Sequence, residues 1–122
     1  MTIREGFHTI TPYLVVQEAA QLIDFVKQVF DATELSRGTG SAGGMHAEVR
    51  IGDSMLMIGG GGNSEPMPAM LYLYLHDVDA VYKRALQAGA TSVAEPAKQS
   101  YGERVAGVKD PFGNLWYIGT PE

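Results

Sequence analysis

Residues 101–119 read YGERVAGVKDPFGNLWYIG, two apolar runs on either side of a dense turn signal. Ser100 to Val108 has the composition of an extended segment. Asp110-Pro111-Phe112-Gly113-Asn114 then reverses the chain, because proline presets φ while glycine and asparagine accept the conformations a tight reversal demands. Leu115 to Ile118 becomes the last strand. The end of this stretch has an echo upstream: Gly113-Asn114-Leu115-Trp116-Tyr117-Ile118-Gly119 resembles Gly52-Asp53-Ser54-Met55-Leu56-Met57-Ile58-Gly59, with one residue fewer. A second pair, Asp31-Ala32-Thr33 and Gly89-Ala90-Thr91, falls in each case where a helical pattern stops and an extended one starts. Two equivalent modules account for both echoes.

The remaining segments fit that duplication. Ile10 to Val16, ITPYLVV, is a short apolar strand candidate, with Pro12 marking its start or an edge position. Leu22, Phe25, Val26, Val29 and Phe30 recur at three- and four-residue spacing, which predicts a helix from about Glu18 to Phe30. Strands at Thr33–Ser36, Met45–Ile51 and Ser54–Ile58 complete the first module, with Gly38–Gly44 a polar break and Gly52-Asp53 a turn. GGGGNSEPMP at 59–68 reads as a linker or a mobile loop. The second module repeats the order, with a strand at Met70–Leu75 and a helix from Asp77, its N-cap, to Ala88. Gly89 stops that helix, a strand follows near Thr91–Val93, and the two strands of residues 101–119 close the module. The expected organisation is one domain over residues 1–122, with βαβββ modules at 8–59 and 70–120 and a glycine- and proline-rich connection at 60–69. One helix per half favours an α+β fold over a doubly wound parallel sheet.

Composition narrows the function classes. Hydrophobic residues make up 45% and charged residues 19%, ordinary globular usage that argues against disorder. The formal net charge of -5, with no cluster of lysine or arginine, gives no attraction to phosphate backbones or anionic membranes, so neither nucleic acid nor membrane is an expected partner. No apolar run approaches the length of a bilayer span, and the N-terminus has no secretory pattern. A cytoplasmic location is the simplest expectation. With no cysteine, thiol nucleophiles, thiolate ligands and disulfides drop out. Ser54, Ser64 and Ser92 have no nucleophile-elbow context, and the GGGG run lacks the lysine and Ser/Thr of a phosphate loop.

The stretch YGERVAGVKDPFGNLWYIG, together with ITPYLVVQEAAQLIDFVKQVF, HAEVRIGDSMLMIGG and YLYLHDVDAVYKRALQAGA, resembles the vicinal oxygen chelate superfamily of glyoxalase I, bleomycin-resistance proteins and extradiol dioxygenases. Within it, the chain is most similar to the glyoxalase-related, phosphonate-operon-protein-like branch. The resemblance implies two βαβββ modules forming a curved mixed sheet around a cavity, and a homodimer. It also implies a search for the His/Glu metal set of the enzymes in the superfamily. The first of those positions comes near Pro12, the second matches Glu48, the third offers Leu71, and the fourth, after DPFG, lands on Tyr117. Only Glu48 is of a ligand type, so no cofactor is assigned, although a divalent metal stays open if His8, His46 or His76 converges with Glu48.

Other residues point to a ligand pocket. His46 and Glu48, two apart on one strand, share a face. Tyr101, Arg104, Trp116 and Tyr117 combine aromatic surfaces with a planar cation, and Tyr72 and Tyr74 form a same-face pair. The favoured expectation is a small-molecule-binding protein of the glyoxalase/bleomycin-resistance type, in which Arg104 grips a polar group and the aromatics shape the cavity. The alternatives are a metal-dependent lyase, isomerase or dioxygenase acting on vicinal oxygens, and a non-catalytic structural or protein-interaction domain.

Overall fold

The computed structural model describes residues 1–122. It divides into two compact units, Met1–Met67 and Pro68–Glu122. The first contains β1 (Tyr13–Val15), α1 (Ala19–Phe30), β2 (Thr33–Thr39), β3 (Met45–Ile51) and β4 (Ser54–Gly60), and its sheet runs β1-β4-β3-β2. The second contains β5 (Met70–Tyr74), α2 (Val78–Gln87), β6 (Thr91–Lys98), β7 (Glu103–Lys109) and β8 (Leu115–Pro121), and its sheet runs β5-β8-β7-β6. In each, one parallel pair (β1 with β4, β5 with β8) accompanies two antiparallel pairs. The two units therefore share one βαβββ topology, as the sequence echoes predict.

Each helix covers one face of its own sheet. In the first unit Leu22, Ile23, Val26 and Val29 of α1 are sealed from solvent with Leu14, Ala47, Val49 and Ile58. In the second, Val81 and Ala85 of α2 close over Ala106, Val108, Trp116 and Ile118. Both helices end alike. Asp31 (φ 58°) and Gly89 (φ 102°) occupy the left-handed position after the helix, which explains why an aspartate and a glycine head the matching Ala-Thr pairs. Asp77 caps α2 as expected, its side chain accepting from the Ala80 N–H at 3.2 Å.

Several segments depart from the sequence expectation: β1 starts at Tyr13 rather than Ile10, β7 at Glu103 rather than Ser100, and β8 runs on to Pro121 beyond Ile118. Strand β2 continues to Thr39 and β6 to Lys98, beyond the predicted ends at Ser36 and Val93. Both are edge strands, and β6 carries Pro96 beside a register shift, a position where a missing N–H costs no ladder bond. The glycine run, read as a linker or mobile loop, is closely packed at its start: Gly60 lies in β4 at φ 133°, and any Cβ there would meet the Val16 carbonyl. Gly44 and Gly62 pack backbone against backbone in the same way.

The DPFGN turn is a polar hub. Asp110, buried at 4% exposure, accepts from the N–H groups of Phe112 (2.8 Å) and Asn114 (2.9 Å), the Asn114 amide (3.0 Å) and the Trp116 indole N–H (2.8 Å). Asn114 in turn accepts from the Ala69 N–H at 3.0 Å, tying the start of β5 to that of β8.

Candidate functional site

The face of each sheet away from its helix carries the polar and aromatic side chains. In the first unit a single cross-strand row runs Tyr13, Met57, Glu48, Ser36. His46 lies one step along β3, opposite Gly59. The N-terminal segment crosses this face. Arg4 donates through both terminal nitrogens to the two oxygens of Glu48, at 2.7 Å each, and its guanidinium sits 4.5 Å from the centre of the Phe7 ring. Ser36 adds a 3.3 Å bond to Glu48, His46 Nε2 stands 3.6 Å from the carboxylate, and the Tyr13 hydroxyl is hydrogen bonded to His46 Nδ1 at 2.9 Å. This bidentate cation holds the Glu48 carboxyl at about 2, well below its ordinary value of 4.5, and outweighs the opposing effect of burial.

The corresponding row of the second unit runs Tyr72, Tyr117, Gly107, Ala94. Register makes Tyr72 the counterpart of Tyr13, Tyr117 of Met57 and Gly107 of Glu48. Tyr72 and Tyr117 lie nearly parallel, with ring centres 6.5 Å apart at 8°, and Tyr74 tilts against Tyr72 at 5.2 Å. Tyr72 donates to Glu103 at 2.6 Å. Burial, then hydrogen bonding to Glu103, raises the Tyr72 phenol far above its ordinary value, and Tyr74 is raised chiefly by bonding to the same carboxylate.

Both units share one further detail. The Tyr13 ring lies over Gly59, where an added Cβ would stand 2.6 Å from the phenol oxygen, and the Tyr72 ring lies over Gly119 with the same end against the glycine. Each strand-opening tyrosine thus needs the bare backbone of its neighbour on β4 or β8.

The residues singled out from sequence distribute as follows. His46 and Glu48 come together with Tyr13 and Arg4, while Tyr72, Tyr74 and Tyr117 gather on the open face of the second unit. Tyr101 stands exposed in the turn before β7. Trp116 is fully buried on the α2 side, bonded to Asp110, and therefore fills the core. Arg104 also lies on the α2 side, paired through two 3.1 Å bonds with Asp79. His8, in the irregular segment before β1, and His76, between β5 and α2, are both exposed. Pro12 precedes β1, and Leu71 alternates away from Tyr72, so the open-face positions of the two opening strands are Tyr13 and Tyr72. No three His, Asp or Glu side chains converge in a way that could hold a metal ion. Register corrects the second metal position, since the counterpart of Tyr117 is Met57 and Glu48 is its cross-strand neighbour. Tyr13, Met57, Tyr72 and Tyr117 supply no histidine or carboxylate and Glu48 is held by Arg4, so the superfamily's metal set does not fit these residues. Sequence reasoning missed Arg4 and Glu103. Arg4 carries no local signal, and Glu103 meets Tyr72 only through the β5-β8-β7 order.

A family model for the Glyoxalase/Bleomycin resistance protein/Dioxygenase superfamily matches residues 6–118. The chain belongs to this superfamily. Among relatives, an uncharacterised protein of Mycobacterium bovis is 40% identical over 125 residues, covering 92% of this chain and 82% of its own. An uncharacterised protein of Mycobacterium tuberculosis is likewise 40% identical, covering 92% and 74%. Among solved structures, TioX from Micromonospora superposes with a TM-score of 0.78 at 22% identity, covering 94% of this chain and 99% of TioX. An E144Q mutant of glyoxalase I from Zea mays superposes with a TM-score of 0.76 at 15% identity, covering 88% of this chain and 44% of the maize protein. At these identities the superpositions speak to the superfamily fold alone. No helix is long and apolar enough to cross a membrane.

Proposed function

We propose that this superfamily member is a small-molecule-binding protein of the glyoxalase/bleomycin-resistance type that works without the metal set of the superfamily's enzymes. The observation that carries this reading is the Arg4–Glu48 pair. The one carboxylate on the open face of the first sheet already has a cation, with both oxygens engaged at 2.7 Å. A divalent ion would have to displace that guanidinium and would then find too few further ligands. In the second unit the matching face offers aromatic surface, which suits the flat apolar part of an amphipathic ligand.

The segments HAEVRIGDSMLMIGG and YGERVAGVKDPFGNLWYIG support a place in the phosphonate-operon-protein-like branch. A cytoplasmic homodimer is part of the same proposal, on the strength of that resemblance and of the cysteine-free composition. The metal-dependent alternative draws on the exposure of the Arg4 side chain, 64%, which leaves it free to swing away.

Native mass spectrometry of protein purified without chelator, before and after addition of Zn²⁺, Mn²⁺ or Ni²⁺, separates the two readings. Metal-free protein that takes up no stoichiometric ion, yet binds a neutral aromatic probe such as 2-naphthol, is the expected result. A stoichiometric metal lost on Glu48→Ala would overturn it in favour of a metal-dependent enzyme.

A further inference from the structure

Tyr72, Tyr74 and Tyr101 are 44%, 62% and 64% exposed, an unusual amount of aromatic surface to leave in water. Tyr72 bonds one carboxylate, that of Glu103, with Tyr74 against Tyr72 and Tyr101 in the turn just before Glu103. Glu103 opens β7 directly after the turn that bears Tyr101, and Gln99 N–H donates to the Glu103 carbonyl at 2.7 Å to close that turn. Tyr72 donates to Glu103 Oε1 at 2.6 Å, and the Tyr74 ring centre lies 5.2 Å from that of Tyr72.

The charge on this patch is unbalanced. Glu103 forms no ion pair: the structure's salt bridges join Arg4, Lys27, Arg37, His46 and Arg104 to Glu48, Glu34 and Asp79. Arg104, its sequence neighbour, points to the other face of the sheet and is held there by Asp79. The hydroxyl donor of Tyr72 is spent on the carboxylate, which leaves ring faces and acceptor lone pairs. Such a surface attracts positive charge and offers little to an anion. It also has one carboxylate and no histidine, too few ligands for a metal ion. A weakly hydrated organic cation matches both the rings and the charge.

We propose that Tyr72, Tyr74, Tyr101 and Glu103 form a recognition site for an alkylated ammonium group carried by the small molecule. This deepens the binder reading and rests on it, since it names the charge of the ligand's polar end. The alkyl groups lie against the tyrosine rings, and Glu103 neutralises the charge at the cage floor.

The test titrates the full chain with choline and with its uncharged isostere 3,3-dimethyl-1-butanol, following tyrosine ring resonances by NMR, with 2-naphthol as a separate neutral aromatic probe. Choline binding about tenfold tighter than the isostere is expected, with the preference abolished by Glu103→Gln and weakened by Tyr101→Ala. Tyr101 is exposed, so its replacement leaves the fold intact even if Glu103→Gln does not. Equal binding of choline and isostere, no choline binding, or a preference untouched by both variants overturns the inference. If 2-naphthol still binds in that case, the binder reading stands and only the cation site fails. Loss of 2-naphthol binding as well removes the broader reading.

Discussion

Arg4 holds both carboxylate oxygens of Glu48 at 2.7 Å, joining a segment without regular secondary structure to the middle of β3, 44 residues away. The pair neutralises the one acid on the open face of the first sheet, and it accounts for the unusual acidity of that group.

Replacing Arg4 by glutamine removes the charge while keeping a polar side chain. The Glu48 midpoint, about 2 in the native chain, then climbs toward 4.5. Carboxyl ¹³C titration by NMR reads this directly, and an unchanged midpoint would mean that the cation is not its cause.

The same pair sets an acid limb of stability. Because the folded midpoint of Glu48 lies below its ordinary value, its contribution is present above 4.5 and is lost as pH falls toward about 2. Urea midpoints compared at about pH 5.5 and about pH 2.5 are expected to drop more in the native chain than in Arg4→Gln. The pair is part exposed, so the difference is modest and shrinks with added salt.

Asp110 is the more dangerous residue to change. Four N–H donors converge on its buried carboxylate, and Asp110→Ala strands them in the second unit. A loss of about 2–4 kcal/mol by chemical denaturation is expected. Trp116→Phe removes one of the donors and leaves a small void, for a smaller loss.

At high pH the tyrosines report on the second face. Tyr72 and Tyr74 ionise later than an ordinary tyrosine of 10, so the stability they contribute is present below 10 and lost as pH rises through their folded midpoints. Absorbance at tyrosinate wavelengths is expected to show a late component that moves earlier in Glu103→Gln. Tyr74 moves most, because bonding to Glu103 is its leading cause whereas burial leads for Tyr72.

Gly119→Ala tests the contact between ring and bare backbone. The new methyl meets the phenol end of the Tyr72 ring and pushes it aside, for a stability cost of about 1–3 kcal/mol. The Tyr72–Glu103 bond is displaced, and the Tyr72 ring resonances shift. Retention of native Tyr72 shifts would show that the ring does not depend on that glycine.

Much of this architecture was legible in the sequence because it is written twice. The Gly52–Gly59 and Gly113–Gly119 echoes land on β4 and β8, and the two Ala-Thr pairs land on matching helix exits. Periodicity located both helices and missed strand ends, at the edges (β2, β6) and in the interior strands β7 and β8 alike, because a strand's length is set by its ladder partners rather than by local composition. The faces were harder. Trp116 and Tyr117 are neighbours on one strand and must point opposite ways, so they could not line one patch. The same parity separates Arg104 from Glu103 and Leu71 from Tyr72. Arg4 could not be read from local pattern at all, because its partner lies 44 residues on, past β1, α1 and β2, and no spacing rule connects them.

Gly107 and Tyr117 face each other across β7 and β8, and a Cβ at 107 would stand 2.8 Å from the Tyr117 ring. Position 107 is the counterpart of Glu48, so the tyrosine occupies the volume an acid would need. A lone Gly107→Glu exchange pushes the Tyr117 ring out of its place, and a lone Tyr117→Ala exchange leaves a gap over bare backbone. The two positions are sterically coupled, so an acid at 107, in the mid-strand place that Glu48 holds in the first sheet, arises only by way of an intermediate that carries either a displaced ring or a gap.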